Sequence, residues 1–161
     1  MKRFLFLILI VSFNISASDE GIQQWVYNTL ERAQANLDKG NIEAAEKIYY
    51  DYANDTWSSR SYDHFVFLRT YAYFLLSFDR NEEALRYLKQ ASLKRDMPPY
   101  DIFELHFTLG QVYYVTGDRE NAKKTLLKWV EIGEKNKLDL KPEGYAILAT
   151  IYAQDEEWGN A

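Results

Sequence analysis

The sequence predicts an all-α fold, a solenoid of about three and a half antiparallel helical hairpins. A turn motif and its recurrence predict it. Leu109–Ala122, LGQVYYVTGDRENA, reads as one helix ending, a tight turn and a second helix beginning. Leu109, Gly110, Tyr113 and Tyr114 form an apolar stripe at helical spacing. Gly117-Asp118 ends the first helix and caps the next, and Glu120 suits the dipole at its start. Gly110 and Ala122 are small residues where two backbones would approach and face each other. The same register places small residues at Ala33, Ala72, Gly110 and Ala149 in the first helices. Turns then fall at Gly40, Asp79, Gly117 and Glu156. The second helices carry Ala45, Ala84, Ala122 and Ala161, at intervals of 39, 38 and 39 residues.

The elements follow in order. Residues 1–18 open with Lys2 and Arg3, continue through an apolar run from Phe4 to Val11 and close on Ser16-Ala17-Ser18. That is the pattern of a cleaved signal peptide, too short for a comfortable span, so the mature chain is expected to begin at Asp19. A retained N-terminal anchor is the alternative. The repeat domain then fills 19–161. Its first helix is expected from Asp19 to about Asp38, capped by Ser18 or Asp19, with Trp25, Leu30, Ala33 and Leu37 on one face. Gly40-Asn41 turns the chain into Ile42–Ala53, and the polar stretch Asn54–Ser61 is a loop. Tyr62–Phe78 pairs with Asn81–Lys94. Pro98-Pro99 ends that unit and starts the next, Asp101–Thr116 with Arg119–Lys135. Lys137–Lys141 is a charged loop, and Pro142 opens a helix to about Gln154. The repeats thus cover about 22–57, 61–97, 99–138 and, in part, 142–161.

The pattern LG..YY..GD.E.A resembles the tetratricopeptide repeat, whose usual period is about 34 residues. The resemblance runs from about residue 22 to 161, and implies a right-handed superhelical array. It is strongest at Leu109–Ala122 and next best at Tyr145–Ala161; Arg32 and Asn36 depart from the usual apolar choices. A narrower resemblance lies in MPPYDIFELHFTLGQVYYVTGDRENAKKTLLKWVEI followed by a proline and EGYAILATIYAQDEEWGNA. With Pro98-Pro99, Trp129 and Tyr145–Tyr152, it is similar to the periplasmic repeat proteins encoded with TonB energy-transduction systems. That resemblance implies an accessory to the TonB, ExbB and ExbD machinery.

Composition narrows the function. With 19 basic and 24 acidic residues the chain is mildly acidic, which argues against a nucleic-acid partner. Loss of Lys2 and Arg3 with the signal peptide makes it more so. Cysteine is absent, so an exported chain depends on its packed core, and a bacterial periplasmic location fits best. No stretch beyond the signal could cross a membrane. Aromatic residues make up 16% of the chain and thirteen residues are Tyr, read first as helix-packing groups.

No catalytic constellation emerges, and neither a metal nor a cofactor is expected. His64 and His106 lack the carboxylate spacing of a metal motif, and His106 reads as a satisfied core histidine. Lys123-Lys124-Thr125 lacks the spacing of a phosphate loop. Glu82-Glu83 and Asp155-Glu156-Glu157 are acidic runs at helix starts. A non-catalytic interaction scaffold remains. Stacked hairpins line a concave face with their first helices. By register that face receives Tyr27, Leu30 and Gln34, then Val66, Arg69 and Tyr73. Phe107, Gln111 and Tyr114 follow, then Ala146 and Thr150. The partner-binding set is Arg69, Tyr73, Phe107, Gln111 and Tyr114, with Arg69 its one cation. The Lys and Asn set of carboxylate-gripping co-chaperone repeats is missing. Two rivals stand beside the scaffold: a structural, self-assembling subunit, and a regulatory subunit of an envelope enzyme acting on the cell wall. Leu148, Tyr152 and Trp158 would lack cover where the fourth hairpin breaks off. A longer native chain, or self-association through Tyr145–Trp158, is expected to supply it.

Overall fold

A computed structural model describes residues 22–58 and 61–159, with side chains through 155. The expected signal peptide, its cleavage site and Ala161 lie outside the described residues, as does the Trp158 side chain. Seven helices follow in order: α1 (Gln24–Asp38), α2 (Ile42–Ala53), α3 (Tyr62–Ser77), α4 (Asn81–Ser92), α5 (Pro99–Val115), α6 (Arg119–Asn136) and α7 (Pro142–Gly159). Three hairpins, α1–α2, α3–α4 and α5–α6, stack in sequence, and α7 packs on the last.

The hairpin turns share one construction. Gly40, Asp79 and Gly117 sit at φ 76°, 58° and 85°, the left-handed conformation that lets a chain reverse immediately after a helix. The next amide reaches back into the finished helix: Asn41 N–H to Asn36 O (2.8 Å), Arg80 to Leu75 (3.0 Å) and Asp118 to Tyr113 (2.9 Å). Asp118 then caps α6 by accepting from Asn121 N–H at 3.1 Å. Pro99 occupies the first turn of α5, where its missing N–H costs nothing.

Small residues hold the helices together. Ala33, Ala72, Ala45, Ala84 and Ala122 are fully buried. The expected pairing of Gly110 with Ala122 is corrected: Gly110 faces Leu126, and a Cβ there would stand 2.6 Å from Leu126 Cγ. The interior forms two centres. One runs from Val26 through the first two hairpins and α5 to Ala122 of α6 and Ile151 of α7; the other gathers Phe103, Phe107, Leu126, Trp129 and Leu148. Trp129 is fully buried, its ring 5.5 Å from Phe103 and 5.2 Å from Phe107.

Several expectations about helix limits fail, and α5 starts at Pro99 rather than Asp101. The first helix starts at Gln24, where the Gln23 amide donates to Asp63 of α3 at 3.3 Å, so docking rather than a local cap marks its entry. The second helix of the middle hairpin stops at Ser92, which leaves Lys94 outside it. Glu156 is no turn: α7 runs through it to Gly159, since a Glu is a poor occupant of the left-handed conformation that Gly and Asp adopt earlier. Ala149 is therefore exposed instead of covered by an antiparallel partner. Leu148, expected to lack cover, is buried against the Trp129 centre.

Candidate protein-binding face

The first helices turn one side toward the second helices and leave the other free of them. On α3 that free side shows as a half-buried stripe, Tyr62, Arg69, Tyr73 and Leu76, in a helix otherwise buried nearly throughout. On α5 the matching stripe is Glu104, Thr108 and Gln111, with Tyr114 and the exposed Val115 at its end. Side chains join the two stripes. Arg69 pairs with Asp101 at 2.5 Å, Tyr62 donates its hydroxyl to the same carboxylate at 2.7 Å, and Tyr73 meets Thr108 at 3.3 Å. The inner faces of α3 and α5 therefore form one continuous surface.

The electrostatics follow from these bonds. Burial would lower the Arg69 guanidinium, but Tyr73, Asp101 and Tyr62 reverse that and hold it above its ordinary value. Burial and the Asp101 carboxylate push the Tyr62 hydroxyl up, and burial does the same to Tyr73. These groups keep their protons through the physiological range. Next along the face, Lys141 reaches back from before α7 to Glu104 at 2.7 Å and lies 4.5 Å from the centre of the Phe107 ring. Arg69 and Lys141 are thus each paired with a carboxylate of α5.

Of the five site residues read from the sequence, Gln111 and Tyr114 are half-exposed and adjoin the α5 stripe. Tyr73 belongs to the same surface, with its hydroxyl engaged. Arg69 is a correction in role: its side chain is only 20% exposed and committed to Asp101, so it is not a free cation. Phe107 is a correction in place. It is 4% exposed, closed off by Trp129 and Lys141, and belongs to the core. Leu30 and Val66 are likewise buried, whereas Tyr27, Gln34, Ala146 and Thr150 are exposed. The register missed Asp101 and Thr108. Asp101 stands one 38-residue period after Asp63, which also accepts from the preceding hairpin, and that recurrence was the available signal.

Both histidines make hydrogen bonds within the fold. His64 is buried with both ring nitrogens engaged, and His106 Nδ1 lies 2.8 Å from Ile102 O in its own helix. Among the described residues, no group of His and carboxylates could hold a metal ion, and no helix is long and apolar enough to cross a membrane.

No family model and no curated protein matches the sequence. Solved structures do match the fold. The Sgt2 tetratricopeptide domain from Aspergillus fumigatus aligns at 17% identity over 86% of this chain and 84% of that one, with a TM-score of 0.59. The nearly identical TPR-like repeats of a Podosopora anserina putative kinesin light chain align at 17% identity, TM-score 0.61, over 80% of this chain and 65% of that chain. SycD, a type III secretion chaperone of Yersinia enterocolitica in complex with a peptide of the translocator YopD, aligns at 15% identity over 83% of this chain and 97% of its own, TM-score 0.58. The fold is an all-α solenoid of tetratricopeptide type.

Proposed function

We propose that this protein is a non-catalytic scaffold that holds a segment of a protein partner on the inner face of α3 and α5. The observation that carries the reading is the paired stripe, in which Arg69–Asp101 and Tyr73–Thr108 fasten two first helices into one platform. Tyr62, Leu76, Gln111, Tyr114 and Val115 then present apolar and carboxamide groups along it. Such groups suit an extended or helical segment, with side-chain burial for affinity and the carboxamide for register. A translocator peptide bound to SycD, a chaperone of the same fold, supports a peptide-sized ligand. Because Arg69 and Lys141 are already paired, a partner anchored by a free carboxylate is disfavoured.

The finer reading places the protein in the periplasm as an accessory to a TonB-dependent transport system. It rests on the basic-apolar-small pattern of residues 1–18 and on the family resemblance of Met97–Ala161. Photo-crosslinking in intact cells tests both levels. A crosslinker at Gln111 is expected to capture one envelope protein that a crosslinker at the exposed Tyr50 of α2 does not. Identification of TonB, ExbB or ExbD supports the finer reading. Equal capture from the two positions overturns the platform, and capture of a cell-wall enzyme replaces the transport assignment.

A further inference from the structure

The junction between the first two hairpins holds a three-ring stack that the binding platform does not use. Trp57, in the loop after α2, lies between Trp25 of α1 and His64 of α3. The indoles are 5.7 Å apart and tilted by 10°, and the His64 ring is 5.5 Å from Trp57 at 23°. Tyr52 and Phe67 close the cluster, stacked on each other at 4.7 Å. The Trp57 indole N–H donates to Tyr52 O at 3.0 Å.

His64 is 8% exposed, and both of its nitrogens are engaged. Nε2 lies 2.9 Å from the Ala53 carbonyl at the end of α2. A carbonyl can only accept, so Nε2 carries the hydrogen. Nδ1 is 2.7 Å from Lys94 Nζ and accepts from that ammonium. Lys94 also donates to Ser58 O at 3.1 Å, so one amine pins the end of the α3–α4 hairpin to the loop that carries Trp57. The imidazole is held neutral, in one tautomer, as the hub of this junction. A second proton has one place to go, Nδ1, and Lys94 occupies it.

We propose that His64 is a proton-operated latch between the first and second hairpins: protonation at Nδ1 sets two cations face to face, expels Lys94 and unseats Trp57 from between Trp25 and His64. The groups facing the imidazole are Lys94 from beyond α4, Asp55 from the loop after α2 and the Ala53 carbonyl. On the far side of Trp57 from His64, α1 contributes the uncharged Trp25 ring. Burial lowers the imidazole below its ordinary 6.5 and the Lys94 charge lowers it further, against the opposing pull of Ala53 and Asp55. The folded chain therefore binds this proton less readily than the unfolded chain. The latch contributes its full stability above pH 6.5 and loses it as pH falls through the lower folded value. His106 is also lowered, by burial and by the Lys128 charge against the pull of the Ile102 carbonyl, but its Nδ1 meets that carbonyl of its own helix instead of a lysine, so it serves as the internal control.

The test is a pH titration of the full chain, with ring-labelled histidine followed by NMR and tryptophan emission followed in parallel. The expected result is a His64 midpoint below 6.5 with the emission change at the same pH. Lys94→Met should raise that midpoint by at least about half a pH unit, because it removes the facing cation. His64→Gln should abolish the emission transition and His106→Gln should leave it in place. A transition that survives His64→Gln, a midpoint that Lys94→Met leaves unmoved, or an imidazole neutral down to the pH of global unfolding overturns the latch. Lys94 is only partly buried, so its variant tests the proposal even if His64→Gln fails to fold.

Discussion

Gly110 and Leu126 meet where α5 crosses α6, so closely that no side chain fits between them: a Cβ on Gly110 would stand 2.6 Å from Leu126 Cγ and 2.7 Å from Cδ2. Leu126 is fully buried, with no open space into which to retreat. Gly110→Leu is expected to cost about 1–3 kcal/mol in a denaturant melt, while a substitution at exposed Lys124 moves stability by about 0.5 kcal/mol or less. In a double-mutant cycle, Leu126→Ala should relieve part of the cost of Gly110→Ala. Additive effects would show that the two positions are not in contact.

Gly144 plays the equivalent part for α7. A Cβ there would lie 2.4 Å from Cζ3 of Trp129, a rigid ring walled in by Phe103 and Phe107. Gly144→Ala should therefore loosen α7, destabilise by about 1–3 kcal/mol and change the near-ultraviolet dichroism of Trp129. Unchanged dichroism with unchanged stability would refute the contact.

The Arg69–Asp101 pair predicts the opposite of what a free groove cation would. Asp101 is 8% exposed and also accepts from Tyr62, so Arg69→Met strands a buried carboxylate and costs about 1–3 kcal/mol. Asp101→Asn in that background should recover part of the loss. Partner capture per folded molecule should fall far less for Arg69→Met than for Tyr114→Ala. The latter is expected to weaken capture at least tenfold, about 1.4 kcal/mol, with the fold retained. Equal losses per folded molecule would restore Arg69 as a direct contact.

Asp79 stands alone among the three hairpin turns as a residue with a side chain at positive φ, 58° against 76° and 85° for Gly40 and Gly117. Asp79→Gly should raise stability by about 0.5–1 kcal/mol, the left-handed strain it removes exceeding the freedom it adds to the unfolded chain. Gly117→Ala should lower it by about 1 kcal/mol. Thermal melts of the two variants check the sign.

The hairpins were legible because glycine and aspartate leave the chain few alternatives where they stand. The limits of α2 and the start of α6 agree with the sequence reading residue for residue, since Gly40 and Gly117 tolerate the reversal that neighbouring residues resist. Where such punctuation is missing, at Glu156, periodicity alone suggested a turn and the helix ran on. The face was half legible. Spacing placed Tyr73, Gln111 and Tyr114 on the half-buried stripes of their helices, because helical geometry decides that. Exposure depends on what arrives from elsewhere in the chain. Phe107 is sealed by Trp129 from α6 and Lys141 from the following loop, and Arg69 is claimed by Asp101 from the next hairpin. None of these three neighbours could be read from the sequence immediately around Phe107 or Arg69.

The way the hairpins are joined bears on how the molecule would carry a load. Among the described residues, no backbone-to-backbone hydrogen bond crosses from one hairpin to the next. The polar ties between hairpins involve side chains: Gln23 to Asp63, Arg80 and Tyr71 to Glu46, Asn54 to Tyr87, Arg69 to Asp101 and Tyr73 to Thr108. Tension applied end to end would load these contacts and the apolar seams between them, with no strand ladder to shear. The chain should extend at low force in a series of steps, each releasing about one hairpin, as expected when stability is a sum of neighbour interfaces.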